Sequence, residues 1–138
     1  MDDNKKAMRK LKLQVQMSID GCIAGPNNEM DWLIRDGKNL KYIHGIAESV
    51  DTILLGRKMT DDFISYWTDV MNKPDDPMYA FAKKMIEIPK VVFTKTLNKS
   101  KWINTELAKG DLKDEITKLK TQNGKDILFT AEPRWILL

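Results

Sequence analysis

The chain has 138 residues, 42% hydrophobic and 31% charged, which suits one soluble globular domain with a real core. Its net charge of +3 comes from 23 basic and 20 acidic residues mixed along the chain, without the arginine stripe and interleaved aromatics of a nucleic-acid surface. A single Cys22 excludes an internal disulfide or a cysteine metal cluster, and neither a leader pattern nor a membrane-length apolar run is present, so a reducing cytoplasm is the expected compartment.

Residues 1–7 are mostly polar and read as a loose extension ahead of one domain over 8–138. Leu11, Leu13, Val15 and Met17 alternate with Lys12, Gln14 and Gln16, the period of a strand. Two glycines, a proline and two asparagines make Asp20–Asn28 a loop. Leu40, Ile43, Ala47 and Val50 repeat at helical spacing, with Gly45 interrupting the pattern. Thr52–Leu55 is a short apolar run of the kind buried on both faces of a sheet. Gly56 ends it, and Phe63 and Trp67 form an i, i+4 aromatic pair on the next helix.

Asp76-Pro77 reads as an N-cap followed by the favoured first-turn proline. Met78, Phe81, Ala82 and Met85 then give one apolar face, and Pro89 stops the helix. Val91–Phe93 is another strand. Asp111 can cap a helix faced by Leu112, Ile116 and Leu119, with Gly124 beyond its end, before a last strand at Ile127–Phe129. Alternating strands and helices, several strands apolar throughout, predict an α/β domain with a largely parallel sheet.

Three strand ends could carry chemistry. In an open parallel sheet ligands bind at the carboxyl ends of the strands, and Ser18–Gly25 follows the first one. Asp20-Gly21 is either a plain turn or a carboxylate offered to a polar substrate. At Gly56-Arg57-Lys58-Met59 a buried strand stops and a helix begins at once. The unpaired N–H groups of that first turn, with two cations beside them, can hold a phosphate; a solvated corner is the simpler reading of the same residues. Thr94-Lys95-Thr96 offers a hydroxyl and an ammonium for a second phosphate, or nothing. Strands of one sheet end along one edge, so the three could meet on one extended anion. His44, the only histidine, has no paired ligand, Cys22 has no nearby histidine, and Trp32, Trp67 and Trp102 read as packing residues.

These stretches resemble the dihydrofolate reductase-like superfamily, in the branch of the C-terminal reductase domain of the bifunctional riboflavin-biosynthesis deaminase-reductase and its standalone relatives. The matching residues are Met17–Gly25, Asp31-Trp32, Asp51–Arg57, Tyr66-Trp67, Pro89–Leu97, Trp102, Asn104-Thr105 and Gly124–Leu128. Each is a weak motif, but their order and spacing are specific, and together they run from about Met8 to Phe129. The resemblance implies a three-layer α/β/α domain that binds NADPH and passes hydride to a pterin- or pyrimidine-like substrate. By position, Ala24 would contact the nicotinamide end, Gly56, Arg57, Lys58 and Met59 the phosphates, and Thr94 and Lys95 the ribose phosphate. Asp20 would be the catalytic or proton-relay carboxylate.

Two departures stand out. Relatives carry threonine where this chain has Met59, followed here by Thr60. Relatives also have a Gly-Gly pair opening a pyrophosphate helix after the last strand, where this chain reads Thr130–Leu138 instead. One permissible coding of Phe129–Leu137, read in a shifted frame, gives Tyr-Gly-Gly-Ala-Ser-Leu-Asp-Thr, so a frameshift after Phe129 is the expectation. A domain without its last helix and strands would leave an open sheet edge and self-associate, as a homodimer, with little turnover. The alternative to a reductase is a catalytically silent relative that acts as a self-associating or cofactor-binding module.

Overall fold

The computed structural model describes residues 7–27, 29, 31–33 and 36–130. The expected N-terminal extension (Ala7 apart) and the segment beyond Thr130, where the frameshift expectation falls, lie outside the described residues. Among the described residues, five strands alternate with four helices: β1 (Leu11–Gln14), α1 (Gly37–Glu48), β2 (Val50–Gly56), α2 (Arg57–Met71), α3 (Tyr79–Glu87), β3 (Lys90–Phe93), β4 (Thr105–Ala108), α4 (Leu112–Thr121) and β5 (Asp126–Thr130). The strands lie in the order β1-β5-β2-β3-β4, and every neighbouring pair is parallel.

The order of the strands decides where the helices go. The connections from β1 to β2 and from β2 to β3 advance across the sheet, whereas the one from β4 to β5 returns. Right-handed crossovers place opposite directions of travel on opposite faces. Accordingly α1, α2 and α3 cover one face: Ile53, Leu55, Val92 and Leu128 pack there against Ala47, Met59, Phe63, Phe81, Ala82 and Met85. Leu119 and Gln122, at the end of α4, border a cleft with Thr52, Val91 and Glu106 of the other face. Leu54 and Ile127 are buried on that second side. This is the largely parallel α/β sheet expected from the sequence, in the three layers that the resemblance implies.

Local sequence sets most element ends. Asp111 caps α4 as expected, its carboxylate accepting from the N–H groups of Lys113 and Asp114. The start of α3 differs from expectation, because Pro77 lies in a turn and the helix opens at Tyr79. Asp76 caps that turn instead, accepting from Met78 N–H through its carboxylate and from Tyr79 N–H through its carbonyl. The β4 strand was not anticipated at all. The alternation at Leu11–Met17 marks a strand only as far as Gln14, and its leucines face outward, with Leu13 63% exposed. The physical reason is position: β1 is an edge strand, and no described helix covers its second face.

Two buried cations hold the amino ends of the strands. Arg9, 5% exposed, pairs with Asp51 and donates to Thr52 Oγ1, Leu119 O and Lys125 O. One side chain therefore joins the lead-in to β1 with β2, the end of α4 and the start of β5. Lys90, 1% exposed, donates from Nζ to Ile86 O and Ile88 O at 2.8 Å each, where α3 ends. A cation suits the negative end of a helix, but burial pushes its pKa down from 10.5 to about 8.

Arg9→Met should destabilise the fold by about 2–4 kcal/mol, since it strands Thr52 and two carbonyls as well as breaking an ion pair. Urea unfolding measures it, and a loss within error would show that water replaces these contacts. Lys90 gives a pH signature. Its folded pKa lies below its unfolded one, so its destabilising charge persists below about pH 8 and is relieved as pH rises towards 10.5. The native protein should gain stability over Lys90→Met across that window; a pH-independent difference would refute the assignment.

Candidate functional site

The carboxyl ends of the strands gather most of the residues singled out in the sequence. Gly56 stands level with Phe93 across the β2–β3 pair, so the Gly56–Met59 turn and the Thr94-Lys95 turn are neighbours. Gly56 is the N-cap of α2 in extended conformation (φ −74°, ψ 148°) and contributes no side-chain cap to the first-turn N–H groups. Thr60, fully buried, donates its hydroxyl to Gly56 O at 2.8 Å and ties the helix start to the strand end. Met59 is 3% exposed and points into the core. Only its backbone N–H can face a ligand.

Arg57 and Lys58 are the side chains left to face outward. Arg57 is half-buried, and its Nε has no hydrogen-bond partner although it is shut off from solvent. A buried donor without a partner is costly, and this one lies beside the positive end of α2. The positive helix start fits an anion at this place, which would meet the part of the half-buried guanidinium that solvent reaches. Asp61, one turn further along, accepts from Trp102 Nε1 at 2.9 Å and lies 3.2 Å from Lys101 Nζ. These contacts hold its carboxyl below the ordinary range, the Trp102 bond contributing most and the charge of Arg57 least.

Thr94 is buried, and its Oγ1 accepts from the N–H groups of Thr96 and Leu97, so the hydroxyl shapes its own turn. Such an oxygen can still donate its proton. Lys95 is exposed, with Nζ 3.5 Å from the carbonyls of Lys109 and Gly110 after β4.

The loop after β1 is a separate construction. Ser18 N–H donates to Cys22 O, and the Ser18 hydroxyl bridges to Asp20 and to Cys22. Gly21 takes φ +85°, which its lack of a side chain permits. Asp20 is exposed and makes its contacts inside this loop. The Ser18 hydroxyl lowers its pKa first, followed by backbone and Cys22 contacts, so it is a carboxylate at neutral pH. Ala24 is half-buried in the same loop. The structure thus brings together the Gly56 and Thr94 turns, whereas Asp20 and Ala24 stay on their own loop.

One feature escaped the sequence reading. A cleft of about 550 Å³ lies between the end of β1 and the face of α1, walled by Leu13, Trp32, Tyr42, Ile43 and Ile46, with Gln14, Gln16 and Asn39 among them. The size is that of a small-molecule site. The alternation of Leu13 and Met17 with polar residues is its only trace in the sequence. His44 packs edge-on against Phe81 at 5.8 Å. Among the described residues there is no group of metal-ligating side chains and no helix long and apolar enough to cross a membrane.

The architecture is the dihydrofolate reductase-like fold. The model of the RibD C-terminal domain matches residues 9–134, extending past Phe129, and the chain belongs to this family, the reductase domain of riboflavin biosynthesis enzymes. The uncharacterized protein YyaP of Bacillus subtilis (strain 168) is 32% identical over 130 residues, covering 90% of this chain and 63% of YyaP. The chain thus spans less than two thirds of that relative's length. Two solved structures share the fold. A protein of Shewanella sp. PV-4 provisionally assigned to riboflavin biosynthesis superposes with a TM-score of 0.62 at 24% identity, covering 94% of this chain and 67% of its own. The diaminohydroxyphosphoribosylaminopyrimidine deaminase/5-amino-6-(5-phosphoribosylamino)uracil reductase of Thermotoga maritima gives 0.59 at 15% identity, covering 90% and 39%.

Proposed function

We propose that this chain is an NADPH-dependent reductase acting on a pterin- or pyrimidine-like substrate, with the riboflavin-pathway type favoured. The observation that carries the reading is the unpartnered buried Nε of Arg57 at the uncapped start of α2, next to the Thr94-Lys95 turn. NADPH supplies the hydride when bound, and the protein's part is to bind and orient.

The first-turn N–H groups of α2 and the Arg57 guanidinium would hold the phosphates, with Lys58 adding charge from the rim. Lys95 and the Thr94 hydroxyl would take the ribose phosphate. The cleft beside β1 has the apolar walls a flat heteroaromatic ring needs, and Trp32 and Tyr42 supply aromatic surface there. The chain passes from Met17, on the wall of that cleft, directly to the Asp20 loop. An ionised Asp20 accepts hydrogen bonds from ring or exocyclic N–H groups of the substrate, which makes it a binding carboxylate before a proton donor.

NADPH should bind more tightly than NADH, because Arg57, Lys58 and Lys95 offer more positive charge than an unphosphorylated ribose can use. Titration calorimetry with both cofactors checks this, and equal or tighter NADH binding contradicts the assignment of these cations. Arg57→Ala should weaken NADPH binding by about 1–3 kcal/mol. Its melting temperature should barely move, since the fold supplies no partner for Nε. Unchanged affinity with a large fall in melting temperature would make Arg57 a structural residue.

A further inference from the structure

Residues four apart on a helix are neighbours, so Arg57 and Asp61 of α2 are the natural ion pair of its first two turns. That pair is not made. Asp61 Oδ1 is taken by Trp102 Nε1 at 2.9 Å and by Lys101 Nζ at 3.2 Å, while Arg57 Nε stays buried and unpartnered. Lys101 Nζ in turn sits 5.3 Å from the centre of the Trp102 ring. Both donors come from the β3–β4 connection, residues 94–104, which crosses the sheet without a helix. The Trp102 ring packs against the main core, so its N–H has a fixed direction.

We propose that Trp102 and Lys101 are positioning residues that hold Asp61 off the Arg57 guanidinium, keeping it available to a phosphate-bearing ligand. The inference rests on the anion-binding reading of the α2 start given above. It extends that reading to residues that never touch the ligand. A side chain that merely stiffened the loop would act on Arg57 through position alone. Trp102 and Lys101 act by occupying a competing carboxylate, and this makes a distinct genetic prediction: removing the carboxylate should cure the loss of its holder.

Four proteins test it: native, Trp102→Phe, Asp61→Asn and the double variant, titrated with NADPH and separately with inorganic pyrophosphate. Trp102→Phe removes the shorter of the two contacts on Asp61 Oδ1 and leaves only the exposed Lys101 ammonium, a weak holder. It should therefore weaken both ligands by about two- to tenfold, between the effect of an exposed i, i+4 pair and that of a charge-assisted hydrogen bond. Asp61→Asn should cost nothing, and the double variant should return to the Asp61→Asn affinity. In the ligand-free proteins the Arg57 Nε–H resonance should shift and exchange more slowly in Trp102→Phe alone. If Trp102→Phe and Asp61→Asn both weaken binding with no rescue in the double variant, the residues serve only to brace the loop and the proposal fails. Native binding unaltered by Trp102→Phe also overturns it. If the native protein binds neither ligand, the cofactor reading fails instead, and the Arg57 resonance still decides: an unchanged signal in Trp102→Phe refutes the holding of Asp61.

Discussion

The Arg9 guanidinium ties the lead-in of β1 to the starts of β2 and β5, the strands on which the centre of the sheet is built. Its donors reach β2, the end of α4 and the α4–β5 turn at once. Asp51 is the shared acceptor, since its second oxygen takes the Lys125 N–H. The turn can close this tightly only because residue 124 is glycine. A Cβ there would come within 2.4 Å of the Asp51 carboxylate, and the backbone stands at φ +155°. β3 starts at Lys90, tied to the end of α3, and its pairing with β2 sets Gly56 level with Phe93, so the two turns beyond them become neighbours. Cationic clamps at the starts of the strands and pairing along them together set the geometry of the other edge.

What the sequence disclosed is what periodicity and backbone chemistry write into a few adjacent residues. The continuous run Thr52–Leu55 is buried on both faces as such runs are in parallel sheets, and Asp111 caps its helix. The Gly56-Arg57 junction reads as a strand giving way to a helix because a strand run and an i, i+4 pattern meet there. Features made by distant residues left weaker marks. The β4 strand, Thr-Glu-Leu-Ala, is four residues long at a sheet edge with one face open, so it lacks the apolar run that revealed β2 and β3. The alternation around Leu13 was visible, but its direction depended on which elements flank β1. The cleft and the Asp61–Trp102 bond join residues far apart in sequence, and no local pattern encodes them.

The start of α2 shows how one turn divides its labour. Met59 and Thr60 face inward, one filling the core and the other bonding back to Gly56 O. In this chain, then, the hydroxyl at residue 60 serves the helix junction, and methionine at 59 is a packing residue. What faces outward is backbone N–H together with Arg57 and Lys58. A methionine can stand at position 59 without removing those amides, because the phosphate-binding capacity of a helix start belongs to its backbone.

The two cations near helix ends, Lys90 and Arg57, can be told apart by helix polarity. Lys90 sits at the end of α3, where the helix is partially negative, and its ammonium is bonded to two carbonyls. Those bonds explain the residue without a ligand, although burial still disfavours its charge. Arg57 and Lys58 occupy the opposite situation, two positive charges in the first turn of α2, where the helix dipole repels them. The carboxylate that could neutralise Arg57 is engaged elsewhere, and the Arg57 Nε is buried without a partner. Apart from a weak attraction between Arg57 and Asp61, the local terms disfavour this arrangement in the protein by itself, and an anion placed beside the cations and the helix start relieves them. An unfavourable cluster that one kind of ligand relieves in all its parts is the physical mark of a binding site, and here the ligand it calls for carries phosphate.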